Sequence, residues 1–182
     1  FQGVDVEEAN RLLNNFRIDD TLLEGALTIK EVAGQINVII HAVGILLTIP
    51  KILKDGELIE YLSLGAGSTG KKFDLETNLR VAEFKFIKWK GGAEAIRQNR
   101  LFKDFYNLAE DTSGKEKYLY LLGLTIPLKF LRGGRALSSV LSRDIHLSNA
   151  FTEKYGDRFL TVDQYFRHKE NVVKIMDLNK IL

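Results

Sequence analysis

The stretch KKFDLETNLRVAEFKFIKWK, residues 71–90, decides the fold of this chain. Its second half, ending in FKFIKW, is rich in aromatic and β-branched residues, which favour the pleated surface of a sheet. We therefore predict two strands, Phe73–Thr77 and Arg80–Trp89, joined by a turn at Asn78. The helices and strands predicted along the rest of the chain indicate an α/β domain built around this hairpin.

Three chemically active side chains lie on the predicted hairpin, namely Asp74, Glu83 and Lys85. Side chains alternate between the two faces of a strand, so Glu83 and Lys85 share a face, and the hairpin can bring Asp74 beside them. Two carboxylates and an amine are the parts needed to hold a hard cation, Mg²⁺ or Mn²⁺, next to a water molecule. Such a metal makes its water easier to deprotonate and offsets charge that builds on phosphorus.

This arrangement resembles the PD-(D/E)xK nuclease superfamily, whose signature is an Asp at the start of one strand and (Asp/Glu)-x-Lys in the next. The matching residues are Asp74 and Glu83-Phe84-Lys85, and Phe73 stands where the family has Pro. The resemblance implies a restriction-endonuclease-like mixed sheet flanked by helices. It also implies that Asp74, Glu83 and the Phe84 carbonyl hold Mg²⁺, with Mn²⁺ as a substitute. Lys85 would then orient the water that cuts a phosphodiester of DNA.

The resemblance also assigns roles outside the hairpin. It implies a nuclease-like domain over residues 29–182, with the family's core in roughly residues 29–124. Family members often add an upstream Glu to the metal site, and the candidate here is Glu60. A subset places a catalytic Gln on the helix after the second strand, here Gln98, followed four residues later by Tyr, where this chain has Phe102.

Other interpretations of the same region stay open. Charges that alternate along a strand are often a solvated face, although apolar neighbours on both faces of this strand argue for burial. The segment Gly65–Lys72, GAGSTGKK, is one residue short of the phosphate-binding loop G-x-x-x-x-G-K-[ST], because Lys72 replaces the hydroxyl residue. The alternatives are therefore a catalytically inactive nuclease-fold module that binds nucleic acid or acts as a scaffold, and a nucleotide-binding protein.

Composition limits the classes of function. The 182 residues are 45% hydrophobic and 27% charged, as expected of one soluble domain. The absence of Cys excludes a disulfide framework, a zinc–thiolate site and a cysteine nucleophile, and it is compatible with the expected cytoplasmic location.

Charge divides unevenly along the chain. Residues 1–70 hold 5 Lys/Arg and 10 Asp/Glu, whereas residues 71–182 hold 21 and 14. The second part is expected to attract a polyanion, which indicates nucleic acid as the partner, DNA more than RNA. A homodimer is left open. The candidate contacts to the nucleic acid are Lys71, Lys72, Lys103, Arg132 and Arg135.

The N-terminal third predicts helices. Residues 1–28 are expected to form a helical extension, in which residues 1–3 are the remnant of an engineered cleavage site. The segment Val32–Pro50 contains no Lys, Arg, Asp or Glu and approaches the length of a membrane span. Because Gln35, Asn37 and His41 interrupt it, we predict a buried core helix and no membrane contact.

The remaining predicted elements alternate in type, as an α/β domain requires. They are a strand at Glu57–Leu64, a helix at Ala93–Glu110, a strand at Lys117–Leu124, a helix at Ala136–Tyr155 and a strand at Asn171–Leu178.

Overall fold

The structure is a computed structural model and describes residues 5–17, 19–65, 72–91 and 94–182. Internal contacts divide the chain into two units, one ending at Ile40 and the other running from His41 to Leu182. The boundary predicted from the sequence lies after residue 28.

The first unit is helical. Helix α1, Val6–Asn15, begins at Asp5, whose carboxylate accepts a hydrogen bond from the backbone N–H of Glu8 at 2.8 Å. Helix α2, Asp20–Ile52, begins in this unit and ends in the second one.

Helix α2 differs from its prediction in burial. Of its residues, all of which the structure describes, only Gly44, Ile45, Thr48 and Ile49 are buried, and most of its other apolar side chains are exposed. The expected buried core helix over residues 32–50 is therefore wrong except for one face of its last turns. By length and composition alone, α2 is long and apolar enough to cross a membrane. An apolar pattern identifies such a helix but does not say what covers it.

The second unit contains a five-stranded mixed sheet with the strand order β1-β2-β3-β4-β5. The first three strands form an antiparallel meander, and β4 and β5 run parallel to β3. The strands are β1 Ile59–Leu62, β2 Leu75–Thr77, β3 Arg80–Lys85, β4 Glu116–Leu121 and β5 Val173–Asp177. The α/β class and the central hairpin are confirmed, although β3 ends at Lys85 rather than at Trp89.

Helices follow β3 and β4. They are α3 Ala95–Ala109, α4 Thr125–Leu131, α5 Leu137–Leu141, α6 Ile145–Tyr155 and α7 Val162–Lys169, and a 3₁₀ turn at Leu178–Lys180 follows β5. The predicted continuous helix Ala136–Tyr155 is wrong, because the Asp144 carboxylate accepts the Leu147 N–H and starts α6 as a new helix. Its predicted end is confirmed at Gly156, which has a positive φ of 53°.

Side chains alternate between the two faces of β3 and β4, and each face contacts a different hydrophobic core. Val81, Leu119 and Leu121 face the core that contains residues of α3 to α7. Ala82, Phe84, Tyr118 and Tyr120 face the core that contains Ile45 and Ile49 of α2. Glu83 and Lys85 lie on the same face of β3 as Val81, so they point towards α3.

The last turns of α2 pack closely against the end of β3. Phe84 stacks on Tyr120 with ring centroids 4.8 Å apart, and Phe86 stacks on Phe84 at 6.1 Å. A Cβ atom at Gly44 would lie 2.5 Å from the Phe86 ring, so this contact requires glycine. The glycine thereby brings the His41 turn of α2 to the end of β3.

Candidate active site

The predicted site lies where β3 extends beyond β2. The first residue of β2, Leu75, pairs with Ala82, so β2 provides no backbone partner for Phe84. The carboxylate of Asp74 takes that place, and its Oδ2 accepts the Phe84 N–H at 3.0 Å. A strand residue directs its N–H and C=O to the same side, so the Phe84 carbonyl also faces the Asp74 side of β3.

Lys85 connects two further carboxylates to this point. Its Nζ lies 2.8 Å from Oδ2 of Asp104, on α3, and 3.5 Å from Oε2 of Glu83. All three side chains are at most 22% exposed. Because the ammonium group is shared between two carboxylates, it cannot neutralise both of them fully.

His41 of α2 reaches the same cluster from the opposite face of the sheet. Its Nε2 lies 3.5 Å from Oδ1 of Asp74, and both side chains are 17% exposed. Asp74 is therefore held from two directions, by the Phe84 N–H and by the imidazole. We name His41, Asp74, Glu83, Lys85 and Asp104 the acidic cluster.

The pKa values show an excess of negative charge in the acidic cluster. Burial raises the pKa of Glu83 to about 9, and the nearby Asp104 and Asp74 carboxylates contribute to the increase. Burial also raises the pKa of Asp104, even though Lys85 favours its ionised form. Burial would raise the pKa of Asp74 too, but the His41 hydrogen bond and the Lys85 charge outweigh it and lower that pKa. At neutral pH Glu83 is thus the protonated member of the Asp74–Glu83 pair.

Asp74 and Glu83 are the carboxylates of the acidic cluster that a metal ion could use. Within the described ranges, no group of three or more His, Asp or Glu side chains converges closely enough to hold a metal ion. Mg²⁺ usually keeps several waters and uses one or two carboxylates together with substrate phosphates. Asp74 and Glu83 provide two carboxylates, and a cation beside Glu83 would favour the ionised form that burial and the neighbouring carboxylates disfavour.

Glu60, expected as an additional metal ligand, lies elsewhere. Its Oε2 is 2.6 Å from Nζ of Lys115, and its side chain is half exposed. Lys115 directly precedes β4, whose first residue pairs with Arg80 at the start of β3. This position is near the opposite end of the strands from Glu83 and Lys85. A bulge in β1, between Ile59 and Tyr61, displaces the register at this point.

Gln98 and Arg135, expected in different roles, are brought together. The Arg135 Nη1 donates to Oε1 of Gln98 at 2.5 Å. Gln98 lies on the first turns of α3, and Arg135 lies between α4 and α5.

The other predicted basic contacts are scattered. Lys103 is paired with Asp144 at 2.7 Å, and Lys72 lies 3.7 Å from Asp111. Arg132 follows α4 and is exposed. Lys71 and most of the glycine-rich segment Gly65–Lys72 lie outside the described residues.

Two members of the acidic cluster, His41 and Asp104, were not assigned to the site from the sequence. Asp104 carried a signal, because Leu101 and Leu108 lie three residues before and four residues after it, on the same buried face of α3. His41 is one of the few polar residues in the charge-free segment of α2. Neither pattern identifies the partner, which lies far away in the chain.

Comparisons with known proteins give no match. No family model, curated protein or solved structure matches this chain. Its function is therefore inferred from the geometry and the charges of the acidic cluster.

We expect the metal-free protein to lose stability as the pH rises from about 4.5 towards 9. The folded-state pKa of Glu83 is raised from 4.5 to about 9, so in this window the folded state binds a proton that the unfolded state has lost. The stabilising contribution is complete below the unfolded pKa and disappears as the pH passes the folded pKa. Urea unfolding in EDTA across this range measures the slope.

Glu83→Gln resembles the protonated carboxyl group and should flatten that slope. Glu153→Gln is the control, since Glu153 is an exposed acid on α6 outside the acidic cluster. A Glu83→Gln slope as steep as that of the wild type would contradict the assigned protonation state.

Proposed function

We propose that the protein is a metal-dependent nuclease of the PD-(D/E)xK type, which hydrolyses phosphodiester bonds of DNA. The observation that carries the proposal is the convergence of Asp74, Glu83 and Lys85 at the end of β3. These are the three residues of the signature. The order of helix, three-stranded meander, helix and parallel strand supports a restriction-endonuclease-like fold.

In this proposal Asp74, Glu83 and the carbonyl of Phe84 would hold Mg²⁺. The ion would make a water molecule more acidic and offset negative charge on the phosphate. Glu83 would release its proton to solvent to serve as a ligand, because metal ligands must be deprotonated. The Phe84 N–H fixes Oδ2 of Asp74 at the end of β3.

Lys85 is the charge-stabilising residue. It is buried beside Asp104 and Glu83, which raise its pKa, so it remains an ammonium ion throughout the neutral range. Asp104 holds the Lys85 side chain at 2.8 Å and thereby limits its rotamers. A preorganised ammonium group in this position donates hydrogen bonds to the attacking water or to the developing charge on the phosphate.

His41 is a positioning residue in the same proposal. Its imidazole contacts the Asp74 oxygen that the Phe84 N–H does not use. Partners behind a metal-ligating carboxylate orient it, and their loss typically weakens metal binding by about 10–100-fold.

A specific observation also favours the inactive binding module. Lys85 is paired with Asp104, and Asp74 is bonded to both His41 and Phe84. Contacts of this kind are also expected of a purely structural network. The two functions differ in one result, since only the nuclease cleaves nucleic acid in the presence of Mg²⁺.

The test compares the wild type with Lys85→Ala on linear, circular and single-stranded DNA and on RNA, with Mg²⁺, Mn²⁺ or EDTA. We expect the wild type to cleave DNA only with metal, and Lys85→Ala to be slower by about 100-fold or more while it still binds metal and DNA. DNA binding should weaken steeply as salt rises, because it depends on phosphate neutralisation.

Lys115→Ala is the matched control. Lys115 has the same side-chain exposure as Lys85, 22%, and also forms an ion pair, but at the other end of the strands. Lys85→Met keeps most of the aliphatic part of the side chain. It replaces Lys85→Ala in the assay if the alanine variant unfolds. Equal cleavage by the wild type and both Lys85 variants would remove Lys85 from the mechanism. No cleavage of any substrate by the wild type would favour the binding module.

A further inference from the structure

Helix α2 carries a regular apolar stripe. In a heptad repeat with Leu22 at position d, apolar residues occupy every a, d and g position from Leu22 to Ile40, where the first unit ends. We name these residues the α2 stripe. Its members are Leu22, Ile29 and Ile36 at d, Ala26, Ala33 and Ile40 at a, and Gly25, Val32 and Ile39 at g.

Polar residues of α2 avoid the stripe. Between Asp20 and Ile49 they all fall at b, c, e or f, and they are Asp20, Thr21, Glu24, Thr28, Lys30, Glu31, Gln35, Asn37, His41 and Thr48.

Every member of the stripe is exposed. Its six large side chains are between 45% and 71% exposed. Together they present on the order of 600 Å², compared with the roughly 800 Å² that each partner buries in a standard interface. An apolar face of this size on a soluble protein marks an interaction site.

We propose that the α2 stripe pairs with the same stripe of a second copy of this chain. A heptad spacing places the a and d side chains of two helices in one continuous seam, whereas an occupant without helical repeats would not select this period. Lys30 is the one charged residue at e or g in this segment, so a second copy meets no row of like charges. The small residues Ala26 and Ala33 allow the two backbones to approach closely.

Light scattering coupled to size-exclusion chromatography tests the pairing with the full chain. The wild type should have at least twice the 20.7 kDa mass of one chain. Ile36→Glu places a charge in the seam and should weaken association by at least about 100-fold, which gives a monomer at micromolar concentration. Val38→Glu adds the same charge half a turn away at position f, where Val38 is also exposed, and should leave association unchanged.

Circular dichroism shows whether both variants keep their helix content. A monomeric wild type, or two variants that dissociate equally, would overturn the proposal. Flotation with phosphatidylcholine vesicles tests whether the α2 stripe binds lipid instead. Binding of the wild type to vesicles that both variants lose to the same extent would identify lipid as the occupant instead. None of these results depends on nuclease activity.

Discussion

Asp74→Asn is expected to abolish metal-dependent cleavage, with a loss of about 1,000-fold or more. The variant removes one of two carboxylates proposed to hold the cation, and in such sites the metal contributes several kcal/mol of transition-state stabilisation. The amide oxygen of Asn can still accept the Phe84 N–H, so the end of β3 should remain intact. Isothermal titration with Mg²⁺ or Mn²⁺ should show metal binding lost together with cleavage.

The same result is expected for Glu83→Gln, which replaces a carboxyl group that is already protonated in the metal-free protein. Its fold should therefore be preserved while metal binding is lost. Asp19→Asn is the control, because Asp19 also accepts a backbone N–H, from Leu22 at 2.9 Å, but lies outside the acidic cluster. Cleavage by Asp74→Asn within about tenfold of the wild type would rule out Asp74 as an essential metal ligand.

The second large effect is expected on stability, from the buried ion pair between Arg80 and Glu57. Two parallel hydrogen bonds of 2.6 Å join the guanidinium to the carboxylate, and both side chains are at most 3% exposed. Thr77 and Tyr120 complete the network with bonds of 2.7 and 3.0 Å. Arg80→Met would leave the Glu57 carboxylate without its guanidinium, at a cost of about 3–5 kcal/mol.

Urea unfolding measures this loss. Lys115→Met is the control, because it breaks the exposed pair with Glu60, for which the expected cost is at most about 1 kcal/mol. Arg80 lies at the start of β3, away from Glu83 and Lys85 near its end, so any folded fraction should keep its activity. A loss below about 1 kcal/mol in Arg80→Met would mean that the pair contributes little to folding.

Local pattern was sufficient for most of the secondary structure. The aromatic and β-branched residues of FKFIKW led to a predicted strand Arg80–Trp89, of which Arg80–Lys85 is a strand in the structure. Side-chain alternation along that strand placed Glu83 and Lys85 on one face. The helix after the hairpin and the two later strands follow from equally local signals. The break before α6 was missed, because the apolar spacing continues across Asp144 while its side chain starts a new helix.

Local sequence patterns did not determine which side chains contact each other. Gln98 bonds to Arg135, and Glu60 pairs with Lys115 rather than joining the acidic cluster. Each contact joins residues more than 30 positions apart. Such contacts depend on strand register and on how a helix rotates against the sheet, neither of which a short window of sequence encodes.

The sequence by itself determined the α/β class, the central hairpin and the proximity of Asp74, Glu83 and Lys85, because strand periodicity and a short turn act over a few residues. Only the tertiary structure decided that Asp104 of α3 pairs with Lys85 and that His41 of α2 contacts Asp74. It also decided that most of α2 is exposed. The physical reason is that hydrophobicity makes an apolar face favourable to bury, whereas the packing of distant elements determines which faces are covered and which charges meet.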